Sequence, residues 1–311
     1  MTAIAIQTRE LAANSELDSR FADFIAYLDV KPATLRTYIN GVKAFLGFLR
    51  QTGMTPSRQA IMAFRDSLTG NLKATTCQTY MSGVRRFFAW LSDNGLMTVN
   101  PASGVKSPKV KKDFRKDALT QSQAQDLLAS VDRNSLTGKR DYAMLALMLT
   151  CGLRDCEVAR ARISDLRTIG GQSALMVWGK GRDSADEAVK LAGPVEAAIR
   201  AYLHERGETD KDLPLFASAS NRNAAGAPLT TRSISRLIKT RLQAIGLDSE
   251  RLTAHSLRHS CATLARLAGA SREEVQATLR HASSETTAIY DHAISWAGRK
   301  VETRVADALF K

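Results

Sequence analysis

The chain has 311 residues, 44% hydrophobic and 24% charged. That is too long for one small domain and too apolar for a disordered chain, and at about 150 residues per domain two domains are expected. Lys and Arg number 44 against 31 Asp and Glu, a formal net charge of +13, which points towards a polyanion. The longest apolar run, Ala143 to Leu149, has seven residues, where a membrane span needs about 18. No basic stretch followed by an apolar one opens the chain, so no signal peptide is expected. Cys77, Cys151, Cys156 and Cys261 show no C-x-x-C pairing. This argues against a disulfide framework or zinc knuckle and for reduced thiols in a cytoplasm. The positive excess lies in both halves: residues 1–110 carry 13 basic and 7 acidic side chains, the remainder 31 and 24. Two basic domains suggest two surfaces facing one nucleic acid, the alternative being charge carried for solubility alone.

Residues 1–14 lack periodicity and read as a loose arm. Leu17, Phe21, Phe24, Ile25 and Leu28 recur at helical spacing. Pro32 and Thr34 open a second helix with Leu35, Tyr38, Ile39, Val42, Phe45, Leu46 and Leu49 on one face and Gly53 past its end. Pro56 starts a third helix through Ile61, Phe64 and Leu68. Thr75 and Gln78 have capping-box spacing ahead of Tyr80, Val84, Phe87, Phe88 and Leu91. Residues 15–103 are thus expected as a helical domain without strands. Residues 104–117 form a basic linker, with Lys106, Lys109, Lys111, Lys112, Arg115 and Lys116 against Asp113. A second domain begins at 118. Thr120 and Gln123 repeat the capping spacing, and Asp141 to Thr150 is an apolar helix closed by Gly152. Asp155 to Arg162 is a short helix, and Ser173–Trp178 with Glu187–Leu191 form a hairpin whose turn holds Gly179-Lys180-Gly181. Helices are expected again at Val195–Arg206, Thr230–Ile245, His255–Ala268, Ser271–Leu279 and Ser284–Ser295. The fold class is mainly α with one small sheet in the second domain.

Four of the five histidines follow position 254: His255, His259, His281 and His292. His255 and Arg258 are three apart, so on a helix they share one side, joined a turn later by His259. Two imidazoles and a guanidinium with no carboxylate in the local sequence suit an anion better than a metal, because arginine grips phosphate bidentately, and the H-E-x-x-H pattern is absent. Tyr290 follows His281 by nine residues. A tyrosine on a helix is ordinarily a packing residue, but beside such cations it is a candidate nucleophile. Ionising a phenol of pKa about 10 at neutral pH costs about 4 kcal/mol, which nearby cations and a base help to supply.

On these residues the chain resembles the tyrosine recombinase family of phage integrases and Xer-type enzymes. The family's first motif is similar to Thr150-Cys151-Gly152-Leu153-Arg154-Asp155-Cys156-Glu157, ending in Ile163-Ser164-Asp165-Leu166. The hairpin lysine matches Lys180, the H-x-L-R-H motif matches His255 to His259, and the L-G-H motif matches Leu279-Arg280-His281. The nucleophile segment matches Thr286 to His292 around Tyr290. Thr34 to Leu49 and Gln78 to Leu91 resemble helices of the family's SAM-like core-binding domain. The chain departs from the pattern at Arg280, where the family usually has glycine, and at Asp155-Cys156; Arg280 is expected to alter the local turn or to add a phosphate contact.

The resemblance implies a site-specific recombinase. Tyr290 would attack a scissile phosphate, giving a 3′-phosphotyrosine and a free 5′-hydroxyl, and a partner strand's 5′-hydroxyl would reseal it. Arg154 and Arg258 would hold the non-bridging oxygens, the alternative for Arg154 being a salt bridge to Glu157. His255 would be the base, Lys180 the general acid and His281 a donor to the phosphate, with Glu157 and His259 in supporting positions and His292 packing. Neither a metal nor a nucleotide cofactor is implied. The partners implied are double-stranded DNA with an inverted-repeat core site, clamped by both domains, and further copies of the chain in a tetramer joined through the tail 297–311, with room for an accessory or partner recombinase. Location would be cytoplasmic, on the nucleoid, and the role integration or excision of an element or resolution of DNA dimers. DNA-contact candidates are Arg36, Lys43, Arg85 and Arg86 in the first domain, Lys106, Lys109, Lys111 and Lys112 in the linker, and Arg232, Arg236 and Lys239 in the second domain; singly, each also reads as a solvated charge. Competing classes are a silent DNA-binding protein of the same fold and a type IB topoisomerase.

Overall fold

The computed structural model describes residues 16–109, 117–179, 184–208, 210–219, 226–280, 306, 307, 309 and 310. The chain divides into two compact units, residues 1–113 and 114–311. Among the described residues no helix is long and apolar enough to cross a membrane.

The first unit is helical, and each helix has an identifiable start or stop. Helix α1 covers residues 16–27 and turns Leu17, Phe21 and Phe24 inward. Helix α2, Pro32–Thr52, begins on a proline and ends where Gly53 adopts φ 66° and returns its N–H to the Leu49 carbonyl. Helix α3, Arg58–Asn71, starts after Ser57, whose hydroxyl accepts from Ala60 N–H, so the cap rather than Pro56 sets its first residue. Helix α4, Ala74–Asp93, corrects an expectation. Thr75 lies already inside its first turn, no capping box forms with Gln78, and the Gln78 amide donates instead to the Pro108 carbonyl at 3.0 Å. Arg58 and Arg85 also bond to carbonyls of Ser103 and Val105, and Ala102 and Val105 are buried. Residues 102–108, the first part of the expected linker included, are therefore packed onto this unit.

The core of the first unit is rich in aromatic rings: Phe24, Phe45, Phe64, Phe87 and Phe88 meet edge-on or tilted at centroid distances of 5.1 to 5.7 Å. Two glycines let α2 and α4 cross closely. A Cβ on Gly41 would lie 2.5 Å from the Tyr80 carbonyl oxygen, and one on Gly83 would lie 2.7 Å from that of Tyr38. Glycine inside a helix costs about 1 kcal/mol against alanine; here it admits backbone against backbone.

The second unit wraps α6, Leu136–Cys151, which is buried on nearly every face. Before it comes α5, Gln121–Ala129, opened by the expected Thr120–Gln123 capping box. After it follow α7, Asp155–Arg160, and strands β1, Leu166–Ile169, β2, Gln172–Trp178, and β3, Ala185–Lys190. The sheet is antiparallel in the order β1-β2-β3, with Leu175 of β2 opposite Leu166 on one side and Val189 on the other. Strand β1 adds to the expected hairpin. Its residues Arg167 to Ile169 are exposed, so it carries no apolar alternation, and only the Gly170-Gly171 pair, both at positive φ, marks its turn. Helices α8, Gly193–Arg206, α9, Thr231–Ala244, α10, Ala254–Leu267, and α11, Arg272–Leu279, complete the described part. Leu119 N–H donates to the Ser260 hydroxyl at 2.7 Å, fixing the entry to α5 against α10.

Candidate active site

The site forms where the ends of α6, α10 and α11 meet α7. Helix α6 stops because Gly152 turns left-handed, φ 61°. A Cβ there would lie 2.3 Å from Leu279 Cδ2 and 3.3 Å from Cys261 Sγ. Only glycine lets the three chains come this close. Two residues on, Arg154 sits at the N-cap of α7 in extended conformation. Glu157, completely buried, caps the helix by accepting the Arg154 backbone N–H at 2.8 Å on Oε2 and takes Arg154 Nη1 at 2.6 Å on Oε1. The ion pair offered as the alternative role for Arg154 is thus present. It does not bury the guanidinium, which keeps 22% exposure.

Arg258 on α10 is 1% exposed and donates to two carbonyls, Gly152 at the end of α6 and Leu279 at the end of α11. Both are carbonyls that helix ends leave without an intrahelical donor. His255, three positions earlier, is exposed, and its ring meets that of His259 edge-on at 4.8 Å between centroids. Residues expected to share a side therefore split: Arg258 faces the interior and His255 the solvent.

Arg280 follows Leu279 at φ 55° and ψ 48°, the one non-glycine residue with positive φ among the described residues. It keeps the left-handed turn a glycine would make, so the expected change of turn does not occur. Its side chain is 6% exposed and pairs Nη2 with Glu157 Oε2 at 2.7 Å, with Glu187 of β3 3.6 Å from Nε. Sequence reading noted this position but not its partner, which is 123 residues away. The only local signal was a bulky cation where the motif has glycine.

Glu157 is thus shared by Arg154 and Arg280, with Arg258 fixed by carbonyls beside them. Such a cluster suits a doubly held oxyanion. The inner wall is kept uncharged. Burial pushes the Cys261 thiol up to about 12 and raises Cys151 as well, although Arg258 and Arg280 pull Cys261 the other way. Their sulfurs point to the carbonyls of Thr150, 3.3 Å, and Lys190, 3.4 Å.

Lys180, His281, Tyr290 and His292, Lys111 and Lys112, the arm 1–14 and most of the tail 297–311 lie outside the described residues. Of the DNA-contact candidates, Arg36, Lys43, Arg86, Lys106, Lys109, Arg232 and Arg236 are exposed. Arg85 donates to the Ser107 hydroxyl at 2.9 Å, and Lys239 pairs with Asp248 at 2.8 Å and the Ser249 carbonyl at 2.9 Å. Those two are engaged within their own units.

Residues 117–295 match the phage integrase family, and residues 21–95 match the phage integrase N-terminal SAM-like domain. The chain is 30% identical to the tyrosine recombinase XerC of Thermodesulfovibrio yellowstonii, over 83% of this chain and 85% of that one. It is 32% identical to a tyrosine recombinase of Synechococcus elongatus over 61% of this chain, and spans 58% of the length of that relative. In fold it is similar to the XerH site-specific recombinase bound to a palindromic difH substrate, with TM-score 0.69, 21% identity and coverage of 88% of this chain and 78% of that one. A helical SAM-like unit, an α-rich unit with a small antiparallel sheet, and a family match across most of the second unit lead to one conclusion: the chain belongs to the phage integrase family, the tyrosine recombinases.

Proposed function

We propose that this protein cuts and rejoins DNA strands at a specific site through a tyrosyl-phosphate link. The observation that carries the reading is that Arg258 closes the ends of α6 and α11 while Arg154, two residues after α6, shares Glu157 with Arg280, the residue immediately before His281 in the chain. Membership of the phage integrase family supports it.

In this reading the two arginines hold the non-bridging oxygens of the scissile phosphate and take up the charge added as the phosphorane forms. The Tyr290 oxygen attacks phosphorus, the 5′-oxygen leaves, and the link stores the phosphodiester for resealing by an incoming 5′-hydroxyl. His255, exposed at the start of α10, is the base for the phenol; Lys180 protonates the leaving oxygen, and His281 donates to the phosphate. Glu157 is the carboxylate that orients Arg154. His259 supports His255 through its ring contact. No step calls on a metal or a nucleotide.

The substrate is duplex DNA with an inverted-repeat core, and the working assembly is a tetramer joined through the tail 297–311. The domain division is close to the one the sequence suggests, a helical core-binding domain from 15 with residues 104–108 packed onto it, the rest of the basic linker and a catalytic domain from 118. Arg36, Lys43, Arg86, Lys106, Lys109, Arg232 and Arg236 are the contacts that fit best, being exposed. Location on the nucleoid follows from this chemistry.

The test is covalent capture. The full chain is incubated with a pool of randomised duplexes carrying a nick, and adducts surviving denaturant are recovered and sequenced. Wild type should yield an adduct on a recurrent inverted repeat, and Tyr290→Phe none. An adduct that persists in Tyr290→Phe, or none with wild type on any duplex, overturns the reading. Joining of two recovered sites, against simple relaxation of supercoils, separates a recombinase from a topoisomerase.

A further inference from the structure

Arg280 stands where three elements come together. Its backbone is at the end of α11, one residue before His281; its Nη2 reaches Glu157 of α7 at 2.7 Å; and its Nε lies 3.6 Å from the Glu187 carboxylate of β3. Each of these elements carries or adjoins a residue used in the proposed reaction: Arg154 on α7, Lys180 after β2, His281 after α11. The Nε is buried and has no hydrogen-bond partner, so the side chain is held by Nη1 on the Thr278 carbonyl at 2.8 Å, by its Glu157 contact and by the longer ion pair to Glu187. The backbone there is left-handed, φ 55°, a conformation glycine accepts freely and other residues resist. A glycine would make the turn more easily, so the turn does not explain the arginine.

Glu157 has two oxygens and two arginine claimants. Oε2 receives Arg280 and the Arg154 backbone N–H, and Oε1 receives the Arg154 side chain. Arg280 adds to the helix cap in holding Oε2, which leaves Oε1 for the Arg154 side chain. The single negative charge of Glu157 is also divided between two guanidiniums, so Arg154 keeps more of its charge for a ligand.

We propose that Arg280 is a positioning residue of the anion site: by occupying one oxygen of Glu157 it fixes Arg154 in a singly held, strongly cationic state and ties α7 and β3 to the turn before His281. This rests on the recombinase reading for the identity of the anion as a DNA phosphate, but the geometric claim is tested without DNA.

The full chain is compared as wild type, Arg280→Gly, Arg280→Lys, Glu157→Gln and the Glu157→Gln/Arg280→Gly double variant. Two quantities are read: the rise in melting temperature with inorganic phosphate, less that of Arg154→Ala, and the single-turnover rate of adduct formation on a nicked duplex recovered by capture. Arg280→Gly, which suits the left-handed turn, should slow adduct formation about tenfold, or about 1.4 kcal/mol, and shrink the phosphate-dependent rise, while Arg280→Lys recovers part of both. Because Arg280 acts through Glu157, the double variant should be no slower than the slower single. The proposal is overturned if Arg280→Gly matches wild type in both readouts, or if the two substitutions multiply. If Arg280→Gly loses the phosphate-dependent rise while wild type forms no adduct on any duplex, the recombinase reading fails and the role of Arg280 stands.

Discussion

The two units solve the problem of a buried interior differently. Among the described residues, the buried charged side chains all lie in the second unit: Arg140, Asp141, Glu157, Asp165 and Arg258. The first unit buries hydrophobic side chains and aromatic rings, brought together by two glycines at a helix crossing. Some of the second unit's interior charge is structural. Asp141 is gripped by Arg140 at 2.7 Å and Arg241 at 3.1 Å, and Arg140 also donates to the Ala217 carbonyl. Asp165 accepts the Arg162 backbone N–H at 2.8 Å, and the remaining two, Glu157 and Arg258, are at the site. Taking an ion pair out of water seldom stabilises a fold against a well-packed apolar alternative. The described residues of the first unit include no such groups, so folding alone does not demand them. In the proposed reaction, Glu157 and Arg258 offset that cost by holding cations in place before an anion arrives.

The largest effect that sharpens this contrast is expected at Arg258. Arg258→Met keeps bulk but removes the donors to the Gly152 and Leu279 carbonyls. Adduct formation should fall about 10²–10³-fold, the scale for losing a donor to a developing oxyanion. Unfolding in urea should show a loss of about 1–3 kcal/mol for a carbonyl left without a donor. A variant that cleaves normally would break the claim that the second unit's interior charge serves the reaction.

A smaller effect, confined to stability, is expected in the first unit. Gly41→Ala places a methyl 2.5 Å from the Tyr80 carbonyl oxygen, and the helices must part. Overpacking of this kind costs about 1–3 kcal/mol. Denaturant unfolding should detect it, while adduct formation under conditions where the variant is folded should keep its rate. A stable Gly41→Ala would show that the α2–α4 crossing has slack and that the aromatic core alone holds it.

The smallest effect concerns pH. The Cys261 thiol is held neutral, its pKa raised from 9.0 to about 12 chiefly by burial. The unfolded chain loses that proton first, above pH 9, so the contribution to stability is complete below pH 9 and is lost as pH rises towards 12. Cys261→Ala should therefore have a shallower alkaline decline in melting temperature than wild type. An unchanged alkaline slope would mean that the wall beside Arg258 and Arg280 is wetter than its burial implies.

Much of this was legible in the sequence where the cause is local. Helices α2 and α5 were readable from their caps and from apolar spacing, because a cap and its partner are within four residues of each other, whereas for α6 only the Gly152 stop was read: the helix begins at Leu136 behind the Ser135 cap, five residues before the expected Asp141. The Arg154–Glu157 pair was readable for the same reason. Strand β1 was not, since its exposed residues leave no alternation to detect. The Thr75–Gln78 box was misread because Pro108, thirty residues away, is the partner that takes the Gln78 side chain. His255 and Arg258 were placed on one side by their spacing, yet only packing against α6 and α11 decides that Arg258 is interior.

By itself the sequence determined the helical class, the order of the described helices, the charge and the set of residue types able to grip a phosphate. These depend on composition and on neighbours a few positions apart. The tertiary structure alone decided that Gly152, Cys261 and Leu279 meet, that Arg258 closes the ends of two helices, and that Arg280 shares Glu157 with Arg154. Those contacts join residues up to 127 positions apart, and a side chain's partner at that distance is set by how helices pack, which no local pattern encodes.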